Sequence, residues 1–423
     1  MSSRRISSLR QGVGAGGAIL GVATLAVTAG NYALNVVLGR WLTPTEFGDV
    51  ALMVTIMLLT SVVVAGLQLA TASIVARSAA GTPGSLAALR RRATQAAFAV
   101  AGLVAVAAAP VADLLQVEAP VLLVLMAAGL PVHVRVGVER GRVQGAGALG
   151  RLASTYAGEA AARIVLTVAL VSIGWGAVGA TIGLNVGFVA ALALAGRAPD
   201  GRATEMTDGD RRVLRATATN VGLLMLGTAF INNGDLILSK ALLEPTEAGR
   251  YAAVALVGRG IFFVVWSIQQ AAVPAVARAV TEREAGRVFT GTVLASASLG
   301  VAITAIAWWF DDQIVGFAFG SEYLAVSGQL GRYALASSCF AVVSTVVTLD
   351  TARGRGDTAP LVLVGAIVQT GAVAGAGSDV AAIVNAQVWS MVLLLGAVGL
   401  VRTRGLLKSP MGSVDPVLEG ISS

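Results

Sequence analysis

A chain of 423 residues that is 56% hydrophobic and only 13% charged cannot cover the surface of a soluble domain of that size. Its net charge of +7 does not point to nucleic acid either, because the basic residues fall between apolar runs, where the orientation rule for membrane proteins places them. The single Cys339 excludes an internal disulfide.

Apolar runs of about 18 residues or more, long enough to cross a bilayer, recur from end to end. They predict spans at 13–39, 47–76, 94–115, 119–138, 152–173 and 177–196, then at 217–242, 249–277, 288–310, 324–349, 358–376 and 380–401. The opening Met1-Ser2-Ser3-Arg4-Arg5-Ile6 has the look of a signal peptide. A repeat argues against cleavage there. Leu42-Thr43-Pro44-Thr45-Glu46-Phe47-Gly48 returns as Leu243-Glu244-Pro245-Thr246-Glu247-Ala248-Gly249, an offset of 201 residues. The same offset carries Asn31 to Asn232, Gln68 to Gln269 and Arg77 to Arg278. The first span is therefore the counterpart of one deep inside the chain.

Two copies of one unit follow, each of about six helices. An even number per copy gives both the same orientation, so the halves should be related by a pseudo-twofold axis along the membrane normal. The expected fold is an all-α polytopic membrane protein of about twelve helices. Residues 1–200 form the first six-helix bundle, 201–216 a cytoplasmic linker, and 217–423 the second bundle with a short cytoplasmic tail. With both termini inside, Arg40, Lys240 and Arg250 fall outside, three arginines lie within spans, and every other basic residue faces the cytoplasm. Trp41, Trp175, Trp308 and Trp309 then form an outer aromatic belt. The basic linker suits a contact with membrane lipid headgroups.

Thr43-Pro44-Thr45-Glu46 reads as a capping box, with Thr43 as N-cap and Pro44 in the first helical position. Its role is a tight helical hairpin, with no chemistry assigned. Chemistry is sought among ionisable groups inside spans, which are costly and functional by default. These are Glu159, Arg163, Asp235, Arg259 and Arg332, all at a central depth on a rise of ~1.5 Å per residue. Thr228, Asn232, Asp235 and Ser239 share a helical face, as do Thr24, Thr28, Asn31 and Asn35. These faces either line a cleft between the halves or hydrogen-bond neighbouring helices. Asp235 and Arg259 correspond to Leu34 and Leu58 in the first copy, so these charges belong to one half only. Arg259 is the leading candidate for an anionic phosphate, with Arg163 and Arg332 behind it. Asp235 either binds a coupling cation or neutralises Arg259. Glu159 and Arg163, four residues apart, read as an internal ion pair. Trp266 shares a face with Arg259 and suits packing, a sugar or an acyl chain. The only histidine, His133, is read as a packing residue.

Leu38-Gly39-Arg40-Trp41-Leu42-Thr43-Pro44-Thr45-Glu46-Phe47-Gly48 resembles a signature of the polysaccharide flippases of the MOP (multidrug/oligosaccharidyl-lipid/polysaccharide) exporter superfamily. Arg140-Gly141-Arg142-Val143-Gln144-Gly145 resembles that family's segment after the fourth helix. Phe319-Gly320-Ser321-Glu322-Tyr323 resembles its turn before the tenth, and Arg353-Gly354-Arg355-Gly356 sits where a second copy of the Gln-Gly segment belongs. The chain ends after about twelve spans, two fewer than the superfamily's lipid II flippases usually carry. The resemblance implies a MATE-like fold in the cytoplasmic (inner) membrane. It also implies flipping of a polyprenyl-diphosphate-linked oligosaccharide by alternating access, with polysaccharide-assembly proteins as candidate partners. No cofactor is expected beyond a coupling Na+ or H+. Arg259→Ala is then expected to stop export without affecting accumulation.

Neither Lys240 nor Lys408 sits in a phosphate-binding loop, which excludes an ATP-driven pump. A glycan polymerase or ligase would need a catalytic cluster, and the short outer connections carry only scattered acids. A cation-coupled multidrug exporter of the same superfamily is the alternative; it would favour net acidic cavity residues.

Overall fold

The computed structural model describes residues 3–77, 83–196, 209, 222–355 and 358–408, and among these there is no strand. The first half comprises α1 (Ser3–Trp41), α2 (Pro44–Arg77), α3 (Pro83–Val106), α4 (Ala108–Leu114), α5 (Val121–Gly145), α6 (Leu149–Ser172) and α7 (Gly176–Ala195). The second comprises α8 (Gly222–Leu242), α9 (Pro245–Arg278), α10 (Glu282–Trp309), α11 (Asp311–Phe319), a 3-10 segment (Ser321–Gln329), α12 (Leu330–Ala352), α13 (Ala359–Ala374) and α14 (Val380–Lys408). Among the described residues, eight helices are individually long and apolar enough to cross a membrane. The predicted third span is a broken one: α3 and α4 meet at 63° around Ala107. The predicted tenth opens as the 3-10 segment. Apart from residue 209, the predicted linker lies outside the described residues.

Packing repeats with the sequence. In the first half α1 packs on α6, α2 and α3 on α5, and α7 on α5 and α6. The second half repeats each pairing: α8 on α13, α9 and α10 on α12, α14 on α12 and α13. Two six-helix bundles result, joined chiefly by α2 lying against both α8 and α9.

The repeated hairpin meets its own copy at this junction. The capping box forms as read: Thr43 Oγ1 accepts from the Glu46 amide at 3.3 Å, and Glu46 Oε2 accepts from the Thr43 amide at 3.1 Å. Glu244 makes no side-chain cap, as its loss of the hydroxyl implies. Thr45 Oγ1 and Thr246 Oγ1 stand 3.3 Å apart across the two halves. A Cβ on Gly48 would lie 3.0 Å from Gly249 Cα, and one on Gly249 would land on the Pro44 carbonyl. Both obstacles are backbone and cannot rotate away. Gly249→Ala is therefore expected to destabilise the protein by about 1–3 kcal/mol, whereas Gly66→Ala, with open space around it, should not. Thermal unfolding of the two variants in detergent checks this.

Candidate functional site: two cavities lined by paired charges

Bonds between the halves run from Tyr32, about 14 Å along α1 from Trp41, to the hairpin end. Tyr32 donates to the carbonyls of Leu256 and Val257. Arg40 donates to the carbonyls of Phe317 and Ala318, and the rings of Phe47, Phe319 and Tyr323 pack against one another. Buried among these is an ion pair the sequence reading missed. Lys240 Nζ donates to Asp49 Oδ1 at 2.7 Å and to the Gln116 carbonyl at 3.0 Å. Asp49 Oδ2 accepts from the Glu118 amide at 3.1 Å. Lys240 lies at the hairpin end, where the sequence puts it, but it is buried there against a partner 191 residues away.

Below this seal lies a cavity of about 260 Å³ between the halves. Its walls are largely apolar, with Thr28, Asn31, Asn35 and Arg163 contributed by the first half and Asn233 and Arg259 by the second. A second cavity of about 260 Å³ opens within the first bundle, lined by Ser61, Gln68, His133, Arg140, Tyr156 and Glu159. Asn31 and Arg163 line both cavities.

In the first bundle Glu159 binds two arginines, Arg163 four residues on and Arg140 at 2.7 Å. Arg140 also donates to Thr155 Oγ1 and to the Thr155 carbonyl, each at 2.9 Å, and lies 3.9 Å over the Tyr156 ring. The expected Glu159–Arg163 pair is thus a triad. Arg140 was read as part of a connection, but α5 runs on to Gly145 and carries it into the bundle. Arg163 Nη1 reaches Asn31 Oδ1 at 3.4 Å. His133 packs, stacked on Phe188 with centroids 4.0 Å apart.

In the second bundle Arg259 Nη2 meets Asp235 Oδ1 at 2.5 Å. Asp235 Oδ2 accepts from Tyr251, Tyr333 and Gln387 at 2.6, 2.7 and 2.9 Å, and Arg259 Nε donates to the Tyr333 hydroxyl at 2.8 Å. All five side chains are buried. A buried carboxylate needs donors for its lone pairs, and they come from three other helices of its own bundle, α9, α12 and α14.

This corrects the expected cleft face of α8. Asp235 turns into its bundle, and Asn232, bonded to the Thr228 carbonyl, lines a small pocket there with Tyr333 and Gln387. The neighbouring Asn233 faces the inter-half cavity instead. Two further placements differ. Arg332 sits on the first turn of α12, bonded to Gln329, and lines neither cavity; the preceding 3-10 segment sets that position. Trp266 is 36% exposed on the outside of α9 and lines neither cavity, whereas Phe263 lines the inter-half one. Asn31 and Asn35 do line it.

Two like bundles enclosing a central cavity, sealed at one end by their own repeated hairpins, define a membrane transporter built from parallel repeats. The profile of the polysaccharide biosynthesis protein family matches residues 13–280, more than half of the chain. The chain belongs to that family. No curated protein matches it in sequence. Among solved structures it is similar to an inward-facing multidrug resistance MATE family transporter of the MOP superfamily, at 14% identity over 92% of this chain and 100% of that one, with a TM-score of 0.72. An outward-facing MATE family transporter of the same superfamily gives 15%, 93% and 96%, with a TM-score of 0.59. The lipid II flippase MurJ, in an inward closed conformation, gives 11%, 90% and 87%, with a TM-score of 0.71. At such identities the likeness is one of fold.

Proposed function

We propose that the protein flips a polyprenyl-diphosphate-linked oligosaccharide across the cytoplasmic membrane by alternating access, supplying surface polysaccharide synthesis. The observation that carries this reading, beside family membership, is the charge balance around the cavities. Asp235 and Arg259 cancel in the second bundle, while Glu159 faces both Arg140 and Arg163 in the first. One positive charge is left over, in a setting of low dielectric where it acts strongly. An anion is favoured there, which speaks for a diphosphate and against an organic cation.

Arg163 replaces Arg259 as the leading phosphate contact, since it shares the single carboxylate of Glu159 with Arg140, whereas Arg259 has Asp235 to itself. The apolar walls of the inter-half cavity suit the prenyl chain. A coupling Na+ or H+ is favoured at neither carboxylate, since four donors close Asp235 and two arginines hold Glu159. Arg-rich segments at the end opposite the hairpins support the cytoplasmic assignment of both termini. The sealed hairpin end is then the outer one, and this is the inward-facing arrangement. Transport needs no catalytic residue, and polysaccharide-assembly proteins are the natural partners on either side.

Arg163→Gln is expected to cut polysaccharide export about 10- to 100-fold, the worth of a charge-assisted hydrogen bond, in cells where the variant accumulates normally. Unchanged export would remove Arg163 from the site.

A further inference from the structure

Among the described residues, the cavity inside the first bundle is matched in the second only by the small pocket at Asn232, Tyr333 and Gln387, although both derive from one unit. The glutamines make the comparison direct. Gln68 Nε2 donates to Gln144 Oε1 at 2.8 Å, and Gln68 Oε1 accepts from the Tyr156 hydroxyl at 3.2 Å. In the second copy Gln269 Nε2 donates to Thr345 Oγ1 at 3.0 Å. Gln144 and Thr345 differ by the same 201 residues that separate the two repeated threonines. There the resemblance ends. Gln269 is 1% exposed, closed in by Ser344 and by Thr345, which bonds on to Ser296. Ser61 is replaced by Phe262, stacked on Phe340 with centroids 5.5 Å apart, and Arg140 by Ala341. Aromatic and hydroxyl packing fills in one half what a cavity occupies in the other.

A polar cavity kept open inside an apolar bundle takes an occupant, water or ligand, that offers hydrogen bonds. Its lining offers amide, hydroxyl and guanidinium groups, the set that pairs with hydroxyls and with anionic oxygens. Its net charge of one positive unit disfavours a cationic occupant. Arg163 and Asn31 connect it to the inter-half cavity. We infer that this cavity is a headgroup subsite. It takes the sugar adjoining the diphosphate, reads it through Gln68 and Tyr156, and confines it to the first bundle, with the diphosphate at Arg163. The assignment rests on the flippase reading and adds to it where the glycan sits.

The test uses the full chain in lipid nanodiscs and two synthetic probes, geranylgeranyl diphosphate and geranylgeranyl diphospho-N-acetylglucosamine. Gln68→Leu is expected to weaken binding of the sugar-bearing probe about tenfold, one hydrogen bond's worth, and binding of the sugar-free probe less than twofold. Tyr156→Phe, which removes a single oxygen, should show the same selectivity, and Gln269→Leu should show none. Equal losses for both probes, no loss with either variant, or the same selectivity from Gln269→Leu would overturn the subsite. If the unaltered protein binds the sugar-free diphosphate but not the sugar-bearing probe, the subsite falls and the phosphate reading stands. Binding of neither probe removes the flippase reading and the subsite with it.

Discussion

Oxidation of a Thr45→Cys/Thr246→Cys variant, made in a Cys339→Ser background, is expected to abolish transport, and reduction to restore it. The two hydroxyls lie 3.3 Å apart, so the two side chains are direct neighbours, and a disulfide between them would set their Cβ atoms ~3.5–4.5 Å apart. Cys339 is the chain's one cysteine, so its removal leaves only the engineered pair to react. Alternating access requires the two hairpins to separate before the cavity can open at their end. A covalent tie across the pseudo-twofold axis forbids that separation while leaving both cavities intact. The single variants should transport under the same oxidant. Full transport by the cross-linked protein would mean that the hairpin junction never opens.

Arg259→Ala is expected to lower stability by about 3–5 kcal/mol, because it leaves Asp235 charged, buried and without its cation. The sequence alone predicted lost export with normal accumulation. The ion pair with Asp235 adds a cost in stability to that expectation. The neighbours of Asp235 are hydrogen-bond donors rather than a second cation, so they cannot replace the guanidinium. Asp235→Asn combined with Arg259→Gln removes both charges and keeps acceptors and donors in place, and should recover most of the loss in thermal unfolding. An Arg259→Ala protein of unchanged stability that has lost export would return Arg259 to the substrate.

These two expectations draw on features that were not equally legible. The hairpin could be read because a capping box, Pro44 and Gly48 act locally, and their copies lie at one fixed offset. The apolar runs located the longer spans in the same way, eight of them among the described residues, but not the break at Ala107. The charged residues inside the spans could be named, but not their surroundings. Asp235 has partners on three other helices, and no spacing along α8 announces Tyr251, Tyr333 or Gln387. Rotation of a helix by one residue, about 100°, exchanges Asn232 for Asn233 at the cavity, and neighbouring helices set that rotation. Arg140 could be named in a family segment but not placed in the bundle, because polar residues after an apolar run read as a connection, although α5 continues through them. Asp49 and Lys240 escaped notice for a related reason. Each sits beside the hairpin, where charge suggests solvent, and only their packing across the halves buries them.

Function rests on what moves across the membrane, and one measurement addresses that directly. Vesicles containing the purified protein are loaded in one leaflet with fluorescent geranylgeranyl diphospho-N-acetylglucosamine, and its appearance in the other leaflet is followed beside uptake of a cationic dye. Protein-dependent movement of the lipid-linked sugar is expected, slowed by Arg163→Gln, with no movement of the dye. Dye transport with the lipid-linked sugar left in place would contradict the flippase reading and make the protein a multidrug exporter of the same superfamily.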